Sequence, residues 1–135
     1  MTFVDASAIL AILKREAEAA VSADALDRSP SRVASPIAVF ETTLGLCRGA
    51  NVSVEEAATT VTEFLQATGI DCVTITQEDA QAALVAFARY GKGRSHPARL
   101  NMGDCFAYAA ARTRDMPLLY KGNAFTRTDI EPAVP

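Results

Sequence analysis

The sequence predicts an α/β fold in which helices flank a central, mostly parallel sheet. Two observations carry this. Short β-prone runs alternate with longer helical segments, and several of those segments open on their own capping residues. Half of the 135 residues are hydrophobic and 21% are charged. That is ordinary globular composition with enough apolar mass for one core. No linker or internal repeat divides the chain, so residues 1–135 read as a single domain.

Thr2 to Asp5 reads as a first strand ending in Asp5. Ser7 to Leu13 is apolar all round, which suits a buried helix, and a second helix is expected over Ala17 to Leu26. After the turn Ser29-Pro30-Ser31, Arg32 to Ala34 reads as a short strand. Ser35-Pro36 is a helix start, with Ser as cap and Pro in the first turn. Ile37, Phe40, Leu44 and Cys47 mark the apolar line of that helix, which ends near Gly49. Ser53-Val54-Glu55-Glu56 has capping-box spacing, and Gly69 closes the helix it opens, whose apolar face is Ala57, Val61, Phe64 and Leu65. Cys72 to Ile75 is the next β-prone run. Thr76 caps a helix to Tyr90, with Ala80, Leu84 and Phe87 expected inward. A loop rich in glycine and arginine, Gly91 to Leu100, leads to a helix opened by Asn101 or Gly103 and ending near Arg114. Pro117 to Tyr120 is the last strand, before a turn at Gly122-Asn123.

Composition excludes several chemistries. The single histidine, His96, rules out any mechanism built on two His ligands. Cys47, Cys72 and Cys105 form no C-x-x-C pair and read as small apolar core residues of a reducing compartment. The apolar stretch Ala6 to Leu13 is too short to span a bilayer, and no basic segment precedes it. A cytoplasmic protein without a membrane partner is therefore expected. The net charge is −3, but it is unevenly divided. Between Arg89 and Arg127 there are eight basic residues and two acids, a balance of +6, and the rest of the chain carries −9. Such asymmetry suits phosphate attraction beside a site.

Asp5, Asp104 and Asn123 stand at or near element ends, and Glu41 lies inside the helix that opens at Pro36. Each has a local explanation: Asp5 as a turn acceptor, Glu41 as a solvated residue, Asp104 as a charge on a helix dipole. Taken together they point further. Carboxylates converging at the carboxyl edge of a parallel sheet, where ligands bind, repel one another and need a cation between them. Oxygen ligands without His or Cys favour Mg²⁺ or Mn²⁺.

Four segments then resemble one family. Phe3-Val4-Asp5-Ala6-Ser7-Ala8 looks like the first motif of PIN-domain ribonucleases, and Ser35-Pro36-Ile37-Ala38-Val39-Phe40-Glu41 like the second. Leu100-Asn101-Met102-Gly103-Asp104-Cys105-Phe106-Ala107-Tyr108-Ala109 is the most specific match. Leu118 to Phe125, followed by Thr128-Asp129-Ile130, resembles the last. The order and spacing are closest to VapC-type toxins of bacterial type II toxin–antitoxin systems. The resemblance implies a PIN domain, an α/β/α sandwich, acting as a metal-dependent endoribonuclease on RNA and neutralised by a VapB-type antitoxin. It implies Asp5, Glu41 and Asp104 as core acids and metal ligands, Ser7 orienting Asp5, and Asn123 where many relatives carry a fourth acid. It also implies a homodimer, with the first helices and the exposed part of the Val54–Thr68 helix as contact surfaces. Arg94, Arg99 and Lys121 are the expected RNA contacts. Tyr90, Tyr108 and Tyr120 are expected in the core, and His96 in a loop contact to RNA or solvent. Asn123 and Ala124, where relatives often carry acids, keep a second reading open: a catalytically weak module that binds RNA or antitoxin.

Overall fold

A computed structural model describes residues 1–134. Four strands, β1 (Thr2–Val4), β2 (Arg32–Ala34), β3 (Ile70–Cys72) and β4 (Leu118–Leu119), form one parallel sheet in the order β3-β2-β1-β4. The helices are α1 (Ala6–Leu13), α2 (Ala19–Arg28), α3 (Pro36–Ala50), α4 (Val54–Thr68), α5 (Gln77–Tyr90) and α6 (Met102–Thr113). A 3-10 turn follows over Phe125–Arg127. None of these helices is long and apolar enough to cross a membrane.

Alternation along the strands builds two cores. Phe3, Val33 and Leu118 face α5 and α6, while Val4, Ala34 and Leu119 face α1 and α3. The result is the expected helix–sheet–helix sandwich. Capping fixes the helix starts as the sequence predicts. Ser35, Ser53 and Thr76 each accept a backbone N–H with the side chain, and Gly69 ends α4 at φ 66°.

Three expectations need correction. The third strand is Ile70–Cys72, not Cys72–Ile75. Gly69 reverses the chain so tightly that pairing with β2 starts at the next residue, and Val73 already closes the ladder through its N–H to the Ala34 carbonyl. The inward faces of α3 and α5 are also rotated. On α3 the buried residues are Ala38, Thr42, Thr43 and Leu46, whereas Phe40 is 63% exposed. The Thr42 and Thr43 hydroxyls donate to the Ala38 and Val39 carbonyls, which lets two polar residues lie inside. On α5, Ala83, Ala86 and Tyr90 face inward, while Leu84 and Phe87 are exposed. These alanines pack on the alanine-rich flank of α6, so small side chains set a close helix approach and the larger ones stay outside. Finally, Cys105 is buried as expected, but Cys72 is exposed at the sheet edge.

The exposed side of α4 carries Glu55, Glu56, Thr59 and Glu63. Large exposed apolar residues include Leu84, Val85 and Phe87 on α5 and Met102 at the start of α6, besides Val21 on α2, Phe40 on α3 and Val54 on α4.

Candidate active site

Between β1 and β4 the direction of the sheet order reverses, because β1 leads away toward β2 while β4 is added on its other side. Crevices of parallel sheets open at the carboxyl ends of such strands. Asp5 stands there, directly after Val4, as the N-cap of α1. It is 4% exposed. Its N–H donates to the Leu119 carbonyl at 2.9 Å, which fixes it to β4. Its Oδ2 accepts the Ser7 N–H at 3.0 Å and the Ser7 hydroxyl at 2.5 Å. Ser7 Oγ in turn accepts the Lys121 N–H at 3.0 Å. Ser7 thus orients Asp5 and links it to the segment leaving β4.

Asp104 enters from α6. Asn101 caps this helix: its Oδ1 accepts the Asp104 N–H at 2.8 Å, and Asp104 Oδ2 accepts the Asn101 N–H at 3.1 Å. This reciprocal box leaves Oδ1 of Asp104 for other work. Glu41 enters from the second turn of α3 and lies on the backbone of Gly103. A Cβ at Gly103 would fall 1.9 Å from Glu41 Oε2. Sequence reasoning took Gly103 only as a possible helix start. Its signal was a glycine in the first turn of a helix, next to an acid, where only close approach by another group explains it.

The acids act on one another electrostatically. Burial pushes the Asp5 carboxyl up to about 6, with the Asp104 charge adding and the Ser7 hydrogen bonds opposing. Burial, then the charges of Asp5 and Asp104, push Glu41 up to about 7. Burial also raises Asp104, against the Asn101 hydrogen bond. As they stand, no three acidic, His or Cys side chains among the described residues are drawn into a closed metal cage. The donor set still fits a hard divalent cation: oxygen only, mutually repelling, and cradled on a glycine.

This has a measurable consequence for stability in EDTA. Asp5 and Glu41 bind protons more tightly folded than unfolded, so unfolding is favoured as pH rises from about 4 through 7. The melting temperature in EDTA is expected to be several degrees higher at pH 5.5 than at pH 8. Asp5→Asn is expected to flatten that slope, as thermal unfolding at both pH values will show.

Asn123 is exposed in the turn after β4. Its carbonyl accepts the Thr126 hydroxyl at 2.7 Å, and no hydrogen bond among the described residues joins its side chain to the acids. The Lys121 ammonium is held by Glu16 at 3.0 Å. Arg94 and Arg99 are exposed on the loop before α6. Tyr90 and Tyr108 are buried and Tyr120 is half-buried. His96 sits in the loop, its Nδ1 accepting the Ala98 N–H at 3.0 Å.

Comparisons with known proteins identify the family. The PIN domain family model matches residues 2–131. A VapC ribonuclease of Rhizobium meliloti (strain 1021) is 40% identical, over 96% of this chain and 99% of the relative. Ribonuclease VapC42 of Mycobacterium tuberculosis (strain ATCC 25618 / H37Rv) is also 40% identical, over 96% and 97% of the two chains. Among solved structures, Mycobacterium tuberculosis VapC20, described as a sarcin-ricin loop cleaving toxin, superposes with a TM-score of 0.78 at 17% identity and covers all of both chains. A toxin–antitoxin complex from Klebsiella pneumoniae gives 0.68 at 16% identity, over 96% and 93% of the chains. The PIN domain model matches nearly the whole chain, and relatives 40% identical match from end to end: this chain belongs to the PIN-domain family of VapC ribonucleases.

Proposed function

We propose that the protein is the toxin of a type II toxin–antitoxin system and cleaves RNA phosphodiester bonds at the Asp5–Glu41–Asp104 pocket, using Mg²⁺ or Mn²⁺. The convergence of three acids from distant motifs at one sheet edge is the observation that carries this. A divalent cation bound there supplies an acidified water and neutralises charge on the phosphodiester. Asp5 and Asp104 would hold the cation, and Ser7 orients Asp5. Glu41 closes the third side, lying on the backbone of Gly103. Asn123, in the turn after β4, adds no charge to the site. Lys121 contributes its N–H to Ser7, and the basic loop before α6, with Arg94 and Arg99, meets the RNA backbone. A VapB-type antitoxin blocks the pocket in the resting cytoplasm. In the homodimer, a second copy seats on the apolar face of α5 and α6.

Incubation of purified, antitoxin-free protein with a mixed small-RNA pool tests the reading. Cleavage is expected with Mg²⁺ or Mn²⁺ and none with EDTA. RNA that is bound but intact at saturating Mn²⁺ favours the binding module instead, which the missing charge at Asn123 and Ala124 motivates.

Two further variants probe the geometry. Ser7→Ala removes both links between Asp5 and the Lys121 N–H. Cleavage or Mn²⁺ affinity is expected to fall about 10–100-fold, the usual cost of losing a group that orients a ligand; calorimetric Mn²⁺ titration measures it. Gly103→Ala alters no ionisable group, yet its methyl must displace the Glu41 carboxylate. Its cleavage rate is expected to match that of Glu41→Ala, with a melting temperature close to the parent's.

A further inference from the structure

The fold sorts the basic residues between Arg89 and Arg127 into two sets. Arg89 and Arg112 meet Asp129, Arg114 meets Asp79, and Lys121 meets Glu16. Lys92, Arg94 and Arg99 are exposed and have no ion pair among the described residues, and all three lie on the loop Gly91–Leu100. Arg127, also exposed, lies apart on the 3-10 turn.

That loop is shaped before any ligand arrives. Its ends are stitched by the Leu100 N–H to the Tyr90 carbonyl and the Lys92 N–H to the Leu100 carbonyl, both at 2.9 Å. The Arg94 N–H donates to the Gly91 carbonyl at 3.0 Å. Gly93, Ser95 and Arg99 all have positive φ, at 86°, 60° and 52°. Two of these are not glycine, so surrounding contacts must hold the conformation against local preference. His96 supplies the hold. Its Nδ1 accepts the Ala98 N–H, and its ring stands edge-on against buried Tyr90, with centroids 4.8 Å apart. Arg94 is steadied over the Phe87 ring at 6.0 Å.

The loop also ends at the acid pocket. Arg99 is two residues before Asn101, whose N–H binds Asp104, so the Cα atoms of Arg99 and Asn101 are within about 7 Å. A pocket of three carboxylates repels a polyanion, and the cations that draw RNA in must flank it. We propose that the loop Gly91–Leu100 is a pre-shaped phosphate grip, in which Lys92, Arg94 and Arg99 hold the RNA backbone beside the acid pocket and His96 acts as a positioning residue that latches the loop. The proposal rests on the RNA-cleaving reading above.

Anisotropy of a fluorescein-labelled, mixed-sequence single-stranded RNA tests it, with binding read on the cleavage-blocked Asp5→Asn protein in Mg²⁺ buffer. Failure of the grip and failure of the nuclease reading are then separate results. In the triple variant Lys92→Ala, Arg94→Ala, Arg99→Ala, the slope of log Kd against log salt is expected to shrink by about 2, at about 0.7 for each phosphate no longer neutralised. The distant surface variant Arg28→Ala is expected to leave the slope unchanged. His96→Ala keeps every cation, yet it is expected to raise KM for cleavage with kcat within about twofold of the parent. His96→Asn, whose carbonyl can accept the same N–H two residues on, is expected to restore part of the KM. An unchanged slope in the triple variant, an equal loss in Arg28→Ala, or no RNA binding by the parent at low salt overturns the grip. Full activity in His96→Ala overturns the latch.

Discussion

Asp5→Asn and Asp104→Asn are each expected to abolish RNA cleavage while the protein stays folded. Loss of a group that merely orients a ligand costs about 10–100-fold, so removing a ligand charge itself is expected to cost well over 100-fold. The fold survives because the amide preserves most local contacts. Asn at position 5 still caps α1 and accepts the Ser7 N–H, and Asn at position 104 can still accept the Asn101 N–H. Burial also makes the ionised carboxylates unfavourable, so both variants are expected to melt higher than the parent in EDTA near pH 8. Activity and stability moving in opposite directions is the signature of a site maintained for chemistry. Cleavage assays beside thermal unfolding will read both, and a variant that still cuts at the parental rate sinks the assignment.

The largest effect on stability is expected at Arg114. Asp79 is 2% exposed, and its carboxylate takes Arg114 on both oxygens, at 2.9 and 3.1 Å, with Thr113 at 2.7 Å and the Thr76 N–H at 2.9 Å. Burial alone raises the Asp79 carboxyl, but these hydrogen bonds outweigh it and hold it well below the usual carboxylate range. Arg114 also reaches the Thr74 carbonyl at 3.0 Å, so one guanidinium joins the segment before α5 to the end of α6. Arg114→Ala strands a buried charge and is expected to cost about 3–5 kcal/mol, a fall of more than about 10 °C in melting temperature. Asp79→Ala is expected to cost less, because Arg114 is 20% exposed and can turn toward water. The Asp79 contribution is present above the ordinary carboxylate pKa and is lost as pH falls below it, so Arg114→Ala and parent are expected to converge in stability on acidification.

Local signals in the sequence were sufficient wherever the physics is local. Ser53 and Gly69 bound α4 at both ends, Arg32–Ala34 is the second strand as read, and the Asn101–Asp104 box opens α6. The faces of α3 and α5 were not legible, because large apolar spacing was weighted over the small residues that actually pack. Ala83 and Ala86 bury themselves on α6, and Gly45 lies against Leu10. Convergence of the acids was beyond spacing arguments, since 36 residues separate Asp5 from Glu41 and 63 separate Glu41 from Asp104. Strand order and the packing of α3 on α6 bring them together. The sorting of cations was equally hidden. Lys121 and Arg99 look alike in sequence, and only the fold sets one against Glu16 and leaves the other exposed.

Anomalous diffraction from crystals grown or soaked with Mn²⁺ tests the central claim most directly. The expected result is a Mn²⁺ peak held by the Asp5 and Asp104 carboxylates, with Glu41 beside it, that disappears in Asp104→Asn crystals. Mn²⁺ bound elsewhere while the space between Asp5 and Asp104 stays empty at saturating metal contradicts a metal-dependent nuclease centre at this edge of the sheet.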